Sequence, residues 1–183
     1  VRTNPADTGA GGVSLLLLER DMPGLTRTPL KKMGWWASDT AQLHFDNCRV
    51  PVSNLIGEEN RGFRIVMRNF NSERIGMAAG AYGLQQVCLE DALSWARERK
   101  TFGLPLVERQ VIRHKLVDMS IRIDTPRTML EDLAWRVEHE AGDPKTLVAQ
   151  LSMLKVHAMQ SLQFCADTAV QILGGIGFMR GTR

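Results

Sequence analysis

Chemistry in this chain would have to come from a few polar residues set among small or charged neighbours. Phe70-Asn71-Ser72-Glu73-Arg74 places a carboxylate just ahead of Gly76, Ala78, Ala79, Gly80 and Ala81. A carboxylate removes a weakly acidic proton well when a dry, apolar pocket raises its pKa, and the small residues leave room for a ligand on the same helix. Glu73 could equally be a first-turn glutamate favoured by the helix dipole, or the partner of a nearby arginine. Arg99 stands beside Arg97 and Lys100. Its planar guanidinium suits a pyrophosphate, yet the same charges could form a solvated helix end. Gln171-Ile172-Leu173-Gly174-Gly175 joins an amide that donates and accepts to glycines that let a ligand approach the backbone closely. It also reads as a plain helix C-cap. It is no Rossmann fingerprint: after Gly175-Ile176-Gly177 the third glycine position holds Arg180, and a helix precedes it.

The elements that position these residues change character near residue 60. Before it, Gly, Pro, Asn and Asp punctuate short extended runs: Val13 to Glu19, Leu25 to Leu30, Gln42 to Asp46 with alternating polarity, then Arg49 to Val52 and Asn54 to Gly57. Trp35 and Trp36 are expected to cover this sheet. From Gly62 onward the pattern is helical, with Phe63, Ile65, Val66 and Phe70 on one face. Ser72 is the expected N-cap of a long helix to Arg99, and Gly103 and Pro105 break the chain. A second helix is expected over 108–140, with Val111, Ile112, Leu116, Met119 and Ile123 as its apolar positions and a kink or break at Pro126. The turn Ala141 to Pro144 leads to a third helix over 145–173, stopped by Gly174-Gly175. Long helices with short connections make a bundle.

Composition limits the function classes. The 183 residues are 44% hydrophobic and 23% charged, an ordinary globular balance. A net charge of +3 with 6% aromatics shows no basic, base-stacking stripe, so nucleic acid is not an expected partner. Cys48, Cys88 and Cys165 form no CxxC pair and are expected to be reduced, mostly buried thiols of a cytoplasmic protein. The four histidines form no HxxxH or HExxH pair, so no metal site is expected. No apolar run is long enough to span a membrane, and no signal peptide is visible. Neither a Gly-x-Ser-x-Gly elbow nor a phosphate loop occurs. The chain begins at Val1 and ends beyond a glycine-rich turn, and it is expected to be part of a longer protein.

Four segments in register resemble the acyl-CoA dehydrogenase family across essentially the whole chain. They are Met33-Gly34-Trp35-Trp36-Ala37-Ser38-Asp39-Thr40 with the strand Leu43-His44-Phe45; Arg49-Val50-Pro51 running to Asn54-Leu55-Ile56-Gly57; Arg97-Glu98-Arg99-Lys100-Thr101-Phe102-Gly103; and Gln171 to Phe178. The resemblance implies an α+β fold: a partial antiparallel β domain, residues 1–60, then an all-α up-and-down helical bundle, residues 61–183, with the family's N-terminal helical domain absent. It implies FAD, held by Arg99 from a neighbouring subunit and by Gln110, Gln171, Ile172, Leu173, Gly174 and Gly175. It implies dehydrogenation of an acyl-CoA to the trans-2-enoyl-CoA. Glu73 is the implied base, matching the isovaleryl-CoA and long-chain branches. Most branches carry the base in a later segment. Arg74 is implied near the coenzyme A portion and Asn71, often aspartate in the family, at the adenine end. Ser38 and Thr40 are read as structural. An electron-transfer flavoprotein is the implied acceptor, and a homotetramer or homodimer the implied assembly. An oxidase or flavin monooxygenase of the same fold, or a non-catalytic family fragment, is the alternative.

Overall fold

The computed structural model of the chain describes residues 1–179 and Gly181. Arg180, Thr182 and Arg183, at the end of the expected helical domain, lie outside the described residues. Two compact units divide the chain, Val1–Arg68 and Asn69–Arg183.

In the first unit the strands are shorter than the sequence pattern predicts. β1 (Leu15–Leu16) pairs antiparallel with β4 (Leu55–Ile56). β2 (Leu25–Pro29) pairs antiparallel with β3 (Ala41–Phe45), with Leu25 opposite Phe45. The extended run expected at Arg49 to Val52 is instead a loop ending in a 3-10 turn, Val52–Asn54. Pro51 lacks an N–H to give to a ladder and pre-sets the turn. Leu43 and Phe45 of β3 are exposed, and so are the Trp35 and Trp36 rings expected to cover the sheet. The Met33–Ser38 turn is held within itself: Trp36 Nε1 donates to the carbonyls of Lys32 and Met33, and Lys32 Nζ donates to those of Trp35 and Ser38.

α1 (Gly62–Glu98) is one continuous helix. Its start is fixed by contact: the Gly62 N–H donates to the Val13 carbonyl at 2.8 Å, and a Cβ at Gly62 would stand 2.5 Å from the Leu15 nitrogen. Buried Ser14 closes the junction by accepting from the Asn60 N–H at 2.7 Å. Ser72 is therefore a mid-helix residue, not the expected N-cap. Nothing between Phe63 and Ser72 interrupts a helix, and the mild propensity cost of Asn71 and Ser72 is far smaller than the cost of ending and renucleating one.

In the second unit, the expected break at Gly103 and Pro105 is a tight hairpin. β5 (Lys100–Thr101) pairs with β6 (Leu104–Pro105), and Phe102 (φ 50°) and Gly103 (φ 80°) take the left-handed conformations of a type I′ turn. A 3-10 turn, Leu106–Glu108, leads into α2 (Gln110–Glu138). Pro126 lies inside α2 without ending it. α3 (Pro144–Leu173) starts with Pro144 in its first turn and Asp143 as N-cap, accepting from the Thr146 N–H at 2.8 Å. It stops at Gly174 (φ 64°), as the glycine pair predicts.

Two apolar clusters form the bundle core. In one, Ala92 and Ala96 of α1 meet Leu116, Met119 and Ile123 of α2 and Cys165, Ala169 and Ile172 of α3. In the other, Ala78 and Ala81 meet Leu133 of α2 and Leu151, Leu154 and Ala158 of α3. The late part of α1 thus meets the early part of α2 and the late part of α3, the up-and-down order expected. Val111 is the exception among the expected apolar positions and is exposed. It precedes Leu116 by five residues, off the Leu116–Met119–Ile123 stripe.

Candidate functional site

Two grooves in the helical unit collect most of the residues with expected chemistry. One, about 440 Å³, is lined by Phe70, Glu73, Arg74 and Met77 of α1 and by Ser152, Lys155 and Val156 of α3. The α1 residues follow the i, i+3, i+4, i+7 spacing of one helix face.

Glu73 is exposed at this groove and accepts a hydrogen bond from Asn69 Nδ2, one turn earlier. Neither of its ordinary roles applies. It lies far beyond the first turn of α1, where the helix dipole acts. The side-chain ion pairs among the described residues are Arg127–Asp124 and Arg136–Asp132, so Glu73 is not an arginine's partner. The groove is open rather than enclosed, so α1 and α3 alone do not supply the dry surroundings a carboxylate base needs. Arg74 lines the groove and donates from Nη1 to Asn71 Oδ1 at 2.8 Å. Asn71 does not line it; it holds the Arg74 guanidinium from the same helix.

The other groove, about 490 Å³, is lined by Trp95, Arg99, Thr101, Leu106, Ile172, Leu173, Gly174, Gly175 and Ile176. Three local devices build it. The end of α1 presents Trp95 and Arg99. The β5–β6 hairpin turns the chain back, so that the Leu106 N–H donates to the Arg99 carbonyl at 2.8 Å. The glycine stop of α3 leaves bare backbone, with nothing within 4 Å of where a Cβ would stand on Gly174 or Gly175. Arg109 steadies the hairpin, donating from Nη2 to the Thr101 carbonyl at 2.8 Å. Of the residues expected to hold a cofactor, Arg99, Ile172, Leu173, Gly174 and Gly175 come together here. Gln110 and Gln171 are exposed and line neither groove. An exposed guanidinium without an ion-pair partner among the described residues, facing open glycine backbone, fits a pyrophosphate-bearing dinucleotide.

The three cysteines are free thiols. Burial, with the nearby Cys88 thiol adding, pushes the Cys165 thiol up to about 11. It is a neutral packing group rather than a nucleophile. Only Cys165 is fully buried; Cys48 and Cys88 are half-buried, so the expectation of mostly buried thiols is met at one position. No helix among the described residues is long and apolar enough to cross a membrane.

Sequence reasoning missed Met77, Ser152, Lys155 and Val156 in the first groove and Trp95, Thr101, Leu106 and Ile176 in the second. Lys155 left a signal: it is an isolated cation in the apolar middle of α3. The others look like ordinary amphipathic or turn residues.

Residues 60–183 match the family model for the acyl-CoA dehydrogenase C-terminal domain. The chain is 36% identical over 169 residues to the mitochondrial short-chain specific acyl-CoA dehydrogenase of Homo sapiens, covering 92% of this chain and 40% of that protein. An acyl-CoA dehydrogenase crystal structure from Geobacillus kaustophilus superposes with a TM-score of 0.94 at 32% identity, covering 100% of this chain and 47% of that one. The structure of PigA with FAD and proline gives 0.91 at 25% identity, covering 98% and 46%. The chain thus spans less than half the length of these relatives. Its mostly helical bundle, its small antiparallel ladders and its sequence all agree with them: the chain belongs to the acyl-CoA dehydrogenase family.

Proposed function

We propose that the protein containing this chain carries out flavin-dependent α,β-dehydrogenation of an acyl-CoA thioester, with Glu73 as the base. The observation that carries this reading is the position of Glu73. It has no ion-pair partner among the described residues, lies outside the reach of the helix dipole, and lines a groove whose walls include the apolar Phe70, Met77 and Val156 beside the polar Arg74, Ser152 and Lys155. An acyl chain laid on those apolar side chains would exclude water from the carboxylate, which favours its taking a proton. Asn69 holds one carboxylate oxygen, leaving the other for the α-proton. Arg74, steadied by Asn71, is placed to bind the anionic coenzyme A portion.

FAD fits the second groove: Arg99 would meet the pyrophosphate, and the backbone of Gly174 and Gly175 permits close approach. Ile172 and Leu173 supply apolar wall, and Gln110 and Gln171 would contact the nucleotide from the groove's surroundings. The bound flavin supplies the acceptor for the β-hydrogen and its electron pair. The chain's own part is to bind, to orient, to exclude water and to remove the α-proton, so that the α,β double bond forms. The electrons pass on to an electron-transfer flavoprotein. The exposure of Arg99 supports a homotetramer or homodimer in which it serves a neighbouring subunit's FAD. Residues 1–60 are assigned as the remainder of the family's middle β domain and 61–183 as its helical domain, a division supported by the family match starting at residue 60. A reducing, cytoplasmic setting fits the free thiols.

The test is an anaerobic titration of the flavin-loaded full-length protein with a panel of acyl-CoA thioesters. Bleaching of the flavin band by at least one thioester is the expected result. A loaded protein that no acyl-CoA bleaches would overturn the reading.

A further inference from the structure

The two apolar clusters of the bundle are separated by a polar layer. On α1, Gln85 lies between Ala81 of one cluster and Ala92 of the other; on α3, Ser161 lies between Ala158 and Cys165. Both side chains are 0% exposed. Gln85 Nε2 donates to the Ala158 carbonyl at 2.8 Å, tying α1 to α3. Gln85 Oε1 and Ser161 Oγ are buried and meet no protein donor or acceptor. Ser161 is the next buried residue after Ala158 on that face of α3, and helix carbonyls point toward the C-terminus. The Gln85 amide, bound at the Ala158 carbonyl, therefore lies beside Ser161.

α2 adds a buried proline at this level. Fully buried Pro126 falls between Ile123 of one cluster and Leu133 of the other. Proline has no N–H, so it brings no donor into this layer. The layer thus holds one oxygen that only accepts, Gln85 Oε1, and one hydroxyl that can donate or accept, Ser161 Oγ. A water molecule can donate to the amide oxygen and also bond the hydroxyl, within the range of about two to four bonds that buried waters make.

We propose that Gln85 Oε1 and Ser161 Oγ hold one internal water molecule in the centre of the helical bundle. The site lies between the Glu73 and Arg99 grooves, touches neither, and stands independently of the activity proposed above. Its effect is specificity of packing: sliding one helix by a turn would bring polar atoms against apolar ones, which an all-apolar core would not penalise.

The test compares Ser161→Ala in the full-length protein and in a Gln85→Met background, read as thermal midpoints. With a bridging water, Ser161→Ala lowers Tm by about 2–4 °C in the parent and by clearly less when Gln85 is already Met. A rise in Tm would mean that the hydroxyl had no partner to lose, and overturns the proposal. An equal drop in both backgrounds would mean that the hydroxyl bonds only its own helix, and overturns it too. If Gln85→Met does not fold, a high-resolution crystal structure of the parent decides: a water within hydrogen-bond distance of Gln85 Oε1 and Ser161 Oγ supports the site, and a dry contact rejects it.

Discussion

The Glu73 groove and the Arg99 groove are similar in size but are specified in different ways. The Arg99 groove is made by the ends of elements: the last turn of α1, a two-residue hairpin turn, and the glycine stop of α3. Each device is a short run of sequence with its own conformational signature. The Glu73 groove is made by the middles of two helices and depends on which faces of α1 and α3 meet. Backbone punctuation can be read locally, whereas a wall contributed by a partner helix exists only once the register is set. The two grooves should therefore respond to different perturbations: the chemical step at Glu73, ligand binding and local stability at Arg99 and Gly174.

The largest expected effect is at Glu73. Glu73→Gln keeps the shape and the Asn69 contact but removes the base. Turnover of the full-length enzyme should fall about 10²–10⁴-fold while flavin content stays unchanged, measured by steady-state assay beside the absorption spectrum. A loss of flavin instead would erase the distinction between the grooves. Next is Arg99→Ala, which removes a charged donor from the dinucleotide groove. FAD affinity should weaken on the order of 10–100-fold, with Arg99→Lys intermediate because it keeps charge but not the planar fork. Fluorescence titration of the apoprotein measures both.

A smaller effect is expected for Gly174→Ala. The site has open space for the methyl group, so any cost comes from the positive φ alone, about 1–3 kcal/mol, read as a lower denaturation midpoint. An unchanged midpoint would show that the stop does not depend on glycine. The smallest concerns Asp143, whose carboxyl is held below its ordinary value chiefly by the Thr146 hydroxyl and N–H. Because its folded pKa is depressed, its stabilising contribution is full above the unfolded value, about 3.9, and disappears as the pH falls through the folded value. Asp143→Ala should abolish that part of the acid dependence and leave both grooves intact.

How far the sequence could be read follows the same division. The glycine stop at Gly174-Gly175, the turn before α3 and the late end of α1 were all legible, because φ-permissive or N–H-lacking residues mark them. The hairpin at Phe102-Gly103 was read only as a break: phenylalanine in the left-handed region runs against its own preference, and the pairing of β5 with β6 enforces it. The start of α1 was misread at Ser72, since a residue suited to capping sits mid-helix at little cost, while the true start depends on Gly62 packing against Ser14 and Leu15, distant in sequence. Glu73 could be singled out, but Lys155 and Val156 beside it could not, because helix faces are assigned by contact. The short ladders of the first unit, with Leu43 and Phe45 exposed, show that alternating polarity marks a strand without fixing what covers it.

Exchange of the α-proton itself tests the central claim most directly. Flavin-loaded full-length protein would be incubated in D₂O with a 3-thia-acyl-CoA, whose β-position carries sulfur and so has no hydrogen to give up. Deuterium entry at the α-carbon is then followed by mass spectrometry. The account predicts rapid deuterium entry with the parent protein and loss of it with Glu73→Gln. Undiminished exchange in the Glu73→Gln protein would contradict it and place the base elsewhere.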